Sequence, residues 1–354
     1  MFGRREIGLP DLCQELAEAV LRLDAPASTR GHRDVVERMP RAGVDELSAG
    51  LLRLAPALER VALGNGTMLA GLTAGLIEAG ADPLPVLDVL VDRVATGLEM
   101  AATFGSLTDH LGDDVVAPTS ADEYRALREK VGAAAGLSAE DAGELTQAWF
   151  TVNDWIPALL VPLQQKRARQ ALPDRERLTA ATAAMVDYAE DATWLLGLLL
   201  VLDDEPLLVL HRPSGRAYEL TISGVGDNFQ LHTLLAATLI GDPARGLIPG
   251  ERPHPAWTAA ATNGDLAPPD GLRGQFNLVD ALGGWIWNEG RPADIPLLGD
   301  HRVVVLDPPP FVRTWNIGRT YPLMPPFVAL DRILPADEAA AWLARVASAR
   351  ELGR

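Results

Sequence analysis

Residues Trp194–Ile222 read WLLGLLLVLDDEPLLVLHRPSGRAYELTI, and the chain changes character inside this stretch. The first nine residues are apolar and continue a helical pattern that begins near Arg177, with Ala184, Met185, Tyr188, Ala192 and Leu195 on one face. Asp203, Asp204 and Glu205 interrupt the run. From Pro206 the period becomes that of a strand. Leu207–Leu210 lead to a Pro213-Ser214-Gly215 turn, after which Tyr218, Leu220 and Ile222 share one face and Glu219 and Thr221 the other. The spacing predicts a long helix over 177–202 followed by a hairpin. A membrane span takes about 20 apolar residues, more than this run supplies.

Composition divides at the same place. Residues 1–200 carry 10 of the 27 prolines, with 18 basic and 30 acidic residues. Residues 201–354 carry the other 17 prolines, 11 of the 19 aromatic residues, and 13 basic against 18 acidic side chains. Proline, charge and aromatic content shifting together mark a domain boundary, placing a helical domain at 1–203 and a second domain at 204–354.

Upstream of the boundary the pattern is helical throughout. Leu12, Leu16, Val20 and Leu21 recur at helical spacing, as do Leu69, Leu72, Leu76 and Ile77 before Gly80. Pro83 and Pro85 open a further helix, and Ser120 and Ser138 begin capping-box sequences. Residues 76–83 resemble the helix end and loop of an ankyrin repeat. No second copy follows at that family's spacing of about 33 residues, so the repeat is set aside. Apolar stripes on so many helices are satisfied by packing on one another, as a bundle or irregular helical array.

Downstream, the hairpin is followed by a helix from Asp227 or Asn228 to Ile240, a strand at Arg302–Leu306, and a terminal helix after Pro335 that docks through Trp342, Leu343 and Val346. The fold class is α+β: an all-helical N-terminal domain, then a smaller mixed domain, packed against it, with a short, partly antiparallel sheet.

The net charge of −17 argues against wrapping nucleic acid or an anionic membrane. The basic run Lys166–Gln170, with Arg175 and Arg177, reads as the cation-bearing end of a helix. One cysteine, Cys13, excludes a disulfide framework and reads as a small buried hydrophobe. The N-terminus MFGRREIGLPDL lacks the apolar core of a secretory signal, so the expected location is cytoplasmic. The six histidines form no HxxH, HxH or HExxH pairing, and His110 beside Asp113 and Asp114 falls short of a ligand set. Asp203–Glu205 reads as a solvated turn. No cofactor motif is present: Gly224-Val-Gly226 lacks the third glycine of a dinucleotide loop, whose place is taken by Phe229.

Three segments carry residues able to do chemistry. At the Gly224–His232 strand-to-helix junction, Asn228 and His232 are candidate ligand contacts, against a purely capping role for Asp227 and Asn228. In 285–296, Trp285 and Trp287 offer a stacking platform if both lie in one strand. There Glu289 and Asp294 are candidate acid and base, with Arg291 setting their ionisation. In 307–321, Asp307 ends a strand while Arg313 and Arg319 could form a fork for a carboxylate or phosphate. Each segment also has a structural reading, in which the indoles are core and the polar groups satisfy loop backbone. The leading expectation is a binding or protein-interaction protein using these C-terminal loops for a protein partner or a small ligand, anions included. Beside it stand a metal-independent enzyme using Glu289, Asp294 or Asp307 with an Arg313/Arg319 clamp, and a structural subunit of an assembly.

Overall fold

The computed structural model describes residues 7–111 and 116–351. Backbone contacts divide the chain into two compact units, 1–199 and 200–354. The first is helical and the second combines helices with a mixed, partly antiparallel sheet, an α+β fold.

The helical unit runs α1 Leu9–Leu21, α2 Ala25–Arg38, α3 Val44–Arg60, α4 Leu63–Glu78, α5 Leu87–Leu111, α6 Ala121–Ala135 and α7 Ala139–Trp155. Shorter helices follow: α8 Pro157–Leu160, α9 Lys166–Gln170, α10 Arg175–Ala183 and α11 Glu190–Leu199. Leu9, Cys13, Leu16 and Val20 of α1 are buried, as are Leu51, Leu54 and Leu58 of α3, its main packing partner. Burial pushes the Cys13 thiol up to about 12, which leaves it an unreactive apolar group. The end of α4 needs its glycine. Gly80 at φ +116° lets its own N–H reach the Ile77 carbonyl (3.0 Å) and Ala81 N–H reach that of Leu76 (2.9 Å). Within α4, Gly66 makes room for Trp155, whose ring atom Cζ2 would lie 2.3 Å from any Cβ there. Trp155 then donates its indole N–H to the Leu63 carbonyl at 3.0 Å.

The single helix expected over 177–202 is two helices, α10 and α11, separated by turns at 184–189. No proline or glycine marks the break. Met185 and Ala189 are buried, whereas Tyr188, expected on the buried face, turns outward. It donates its hydroxyl to Asp109 on α5 (2.6 Å) and meets Trp149 of α7 edge-on. The basic run does bring cations to a helix end, with Arg167 and Arg169 in the last turn of a short helix. Lys166–Gln170 is itself α9, and its buried Arg169 donates to the Leu163 carbonyl (2.8 Å), while Arg175 bonds that of Leu199 (2.6 Å). Asp113, Asp114 and the side chain of His110 lie outside the described residues.

The main strands of the second unit are β1 Glu205–His211, β2 Arg216–Ser223, β4 Asn277–Asp280, β6 His301–Asp307 and β8 Phe327–Ile333. Their order in the sheet is β4-β6-β1-β2-β8. A short β5, Leu297–Leu298, also pairs with β6. Among the strand pairs of this sheet in the described residues, only β1 with β6 is parallel. The unbroken apolar run Leu207–Leu210 follows from β1's central place, because both its faces are covered. Leu207 and Val209 pack with α12 (Asn228–Leu239) and α13 (Pro255–Asn263), while Leu208 and Leu210 pack with α14 (Ala336–Leu343) and Val346. A separate two-stranded ribbon, β3 Leu272–Arg273 with β7 Thr314–Trp315, brings Trp315 against α12.

Asp203–Glu205 is tied into this unit. Asp203 accepts from the Ser223 hydroxyl (2.9 Å), and Glu205 pairs with Arg302 (3.1 Å).

Candidate functional site

The first turn of α12 organises the loops around it. Asp227 caps the helix by accepting the Gln230 N–H at 2.8 Å, and its other oxygen accepts the Thr320 hydroxyl at 2.6 Å. The next donors are also used: Asn228 N–H bonds the Gly290 carbonyl (2.9 Å) and Phe229 N–H that of Asn288 (3.1 Å). Gly226 N–H goes to Gln230 Oε1 (2.8 Å). Any phosphate would have to displace these bonds, so the junction works as a cap and not as an anion cradle. The consequence is positional, since the 287–291 loop is locked onto α12.

Around this junction the side chains are less well served. Among the described residues, every buried side-chain polar atom of the second unit without a partner lies on α12, the 288–291 loop or the 313–315 segment. They are Asn228 Oδ1, His232 Nδ1, Asn288 Oδ1, Arg291 Nη1, Arg313 Nε and Trp315 Nε1. Asn228 and Asn288 are 2% and 5% exposed, and His232 is fully buried. Native interiors pair nearly all such atoms, because leaving one unpaired costs roughly 1–3 kcal/mol. Six such atoms fall on these three segments.

His232 is the most enclosed. Phe276 N–H reaches its Nε2 at 3.2 Å, and the Phe276 carbonyl already accepts from Arg313 Nη2 at 3.1 Å. The arrangement that satisfies all three groups has Nε2 accepting and the proton on Nδ1. Burial, reinforced by the Arg313 guanidinium, pushes the imidazole down to about 4, so it is neutral near pH 7. Its ring meets Trp315 edge-on at 4.9 Å, with Phe229 and Phe276 beside them. Burial also lowers the Arg313 pKa, which the charge of Glu289 partly offsets.

Two of the three candidate carboxylates hold structural bonds. Asp307 is buried and pairs with Arg212 at 2.8 Å. Asp294 accepts the Arg291 N–H (2.8 Å) and so fixes a single 3₁₀ turn. Glu289 is exposed. Arg313 and Arg319 do not form the expected fork, because loop carbonyls recruit both guanidinium groups. Arg319 donates to those of Thr262 and Pro322, each at 2.6 Å, and Arg313 to that of Phe276.

Trp285 and Trp287 stand side by side, ring centroids 5.8 Å apart, and Trp285 continues to Phe311 at 6.4 Å. A bridge from Trp285 to Val279 holds this edge. Trp287 is 53% exposed and Phe311 49%. The indoles therefore form an accessible aromatic ladder and not core. Elsewhere in the unit, a groove of about 650 Å³ lies along α13, lined by Arg252, His254, Thr258, Thr262 and Asn263 among others. Arg252 and His254 already bond backbone there, to the Ala237 carbonyl and the Ala256 N–H.

Sequence reasoning selected Asn228, His232, Arg291 and Arg313. It did not select Asn288 or Trp315, nor the α13 groove, since loop asparagines and core tryptophans carry no local signature. Among the described residues no group of three His, Cys, Asp or Glu side chains is placed to hold a metal ion, and no helix is long and apolar enough to cross a membrane.

The chain matches no protein-family model, no curated protein and no solved structure. Any functional reading therefore rests on the site's own geometry.

Proposed function

We propose that the protein is a binding protein whose ligand site is the loop cluster around the start of α12. The observation that carries this reading is the concentration there of six unpartnered buried polar atoms, from Asn228 to Trp315. A binding site keeps polar groups in reserve because ligand contacts repay the cost of leaving them unpaired. The enzyme alternative has less support, because Asp307 and Asp294 hold structural bonds and no carboxylate of the three candidates faces an arginine fork.

The test separates reserve from structure. Asn288→Ala removes an orphan acceptor while keeping the backbone carbonyl that caps α12. In a thermal-shift panel of anionic, neutral and cationic small metabolites, at least one compound should stabilise the wild type. Asn288→Ala should melt within a few degrees of wild type yet lose that shift. A panel without any shift, or one unchanged by Asn288→Ala, removes the reading.

A second reading, docking of a protein partner on the Trp287–Trp285–Phe311 ladder, is favoured by that ladder's exposure. A stable partner lost in Trp287→Ala, with no small-molecule shift, would select it.

A further inference from the structure

Four of the unpartnered atoms are donors, and three of these, on His232, Arg313 and Trp315, share one packed cluster. On the binding reading proposed above, these donors give the ligand a chemical class. His232 presents Nδ1–H because Nε2 accepts the Phe276 N–H. Trp315 presents Nε1–H, and indole nitrogen can only donate. Arg313 presents Nε–H, while its Nη2 holds the Phe276 carbonyl (3.1 Å) and approaches Asn277 Oδ1 (3.4 Å). The three groups are linked physically. The His232 and Trp315 rings touch, Arg313 and Trp315 flank Thr314, and the Arg313 guanidinium shares the Phe276 peptide with His232.

Three donors without an acceptor can be satisfied only by an acceptor, and a fixed guanidinium among them favours a negative one. The rings of Phe229, Phe276 and Trp315 make the surroundings apolar, which suits an anion carried on an apolar body. We propose that His232, Arg313 and Trp315 form a recognition site for the carboxylate of a small aromatic or aliphatic acid. The carboxylate accepts from Nδ1–H, Nε–H and Nε1–H, and its body lies against the neighbouring rings. Arg313 and Trp315 are half-buried and are the more exposed of the three side chains. Glu289, whose charge acts on Arg313, opposes the ligand's charge and tunes affinity downward.

The probe is benzoate, with benzylamine as the oppositely charged comparison and ¹⁵N-labelled full-length protein as the reporter. Benzoate should move the Trp315 indole N–H resonance, identified by its disappearance in Trp315→Phe, and benzylamine should not. Trp315→Phe keeps an aromatic ring, though a smaller one, and removes the donor, so it should weaken benzoate about tenfold, or about 1.4 kcal/mol, while the protein still unfolds cooperatively. Glu289→Gln should tighten benzoate a few-fold, a change that a merely structural cluster would not produce. Failure of benzoate, acetate and phenylacetate all to move the Trp315 resonance at about 10 mM would overturn the carboxylate class. So would a bound-water contact at Trp315 Nε1–H that persists unchanged with benzoate present. If carboxylates fail while a neutral or cationic compound gives an Asn288-dependent thermal shift, the ligand class is wrong and the binding reading stands. If nothing in the panel binds, both fall.

Discussion

His232 is the residue where sequence and surroundings diverge most. A histidine in an apolar helix reads from sequence as a possible ligand or a core side chain. Its burial, its neutral state and its unpaired Nδ1 come from Phe276, Arg313 and Trp315, residues 44 to 83 positions away. Its depressed folded value has a thermodynamic consequence. Between the ordinary histidine value near 6.5 and about 4, the unfolded chain binds a proton that the folded chain does not. Stability contributed by neutral His232 is therefore complete above pH 6.5 and is lost as pH falls toward 4, by about 3 kcal/mol in all. Asp227, whose carboxyl burial raises, works with the opposite sign, so the informative quantity is a difference. Melting temperatures measured from pH 7 to pH 4.5 should fall less steeply in His232→Gln than in wild type. Parallel slopes would mean that the imidazole is not buried neutral. Tyr188 teaches the complementary lesson: its place in the periodic pattern assigned it to a core face, but an Asp109 carboxylate within reach of its hydroxyl kept it at the surface.

At the scale of elements, strands and caps were the most legible. The Pro213–Gly215 turn and its flanking alternation became β1 and β2, and Arg302–Leu306 became most of β6. Ser120 and Ser138 cap α6 and α7, accepting the N–H groups of Glu123 and Asp141. These features are local, since turn chemistry and capping act over three or four residues. The 177–202 helix was not legible, because alanine and leucine permit helix everywhere and mark no end. The cap of α12 joins both kinds of information. Asp227 is a strong N-cap by sequence, but its bond to Thr320, 93 residues away, exists only in the fold. Asp227→Ala should therefore cost more than Thr320→Val: about 2 kcal/mol against about 1, because the first loses two bonds and the second one. Urea unfolding of both variants checks this, and equal losses would show that the Thr320 bond alone matters and the cap adds nothing.

For the whole molecule, each unit has the parts of a separate folding unit. The second buries apolar residues on both faces of its sheet, with α12 and α13 covering one and α14 the other. Residues 200–354 expressed alone should therefore unfold cooperatively in urea and keep the Trp315 indole resonance at its full-length position. A fragment without a cooperative transition would refute that independence. The change in proline, charge and aromatic content near residue 203 lies within a few residues of the division at 199/200. Composition can mark such a place because a helical array and a sheet flanked by long loops draw on different residue types throughout their length.

The sequence by itself determined the helical character of the first part, the hairpin, the terminal helix and the segments rich in aromatic and charged groups. All of these follow from periodicity, capping and composition, which act over short chain distances. Only the tertiary structure decided which polar groups were used and which were held in reserve. Asp307, Asp294 and Arg319 were claimed by structural partners, whereas His232, Arg313 and Trp315 were brought together with donors left over. The reason is that hydrogen-bond satisfaction is a three-dimensional inventory: whether a donor is free depends on every acceptor that folding brings within about 3 Å of it.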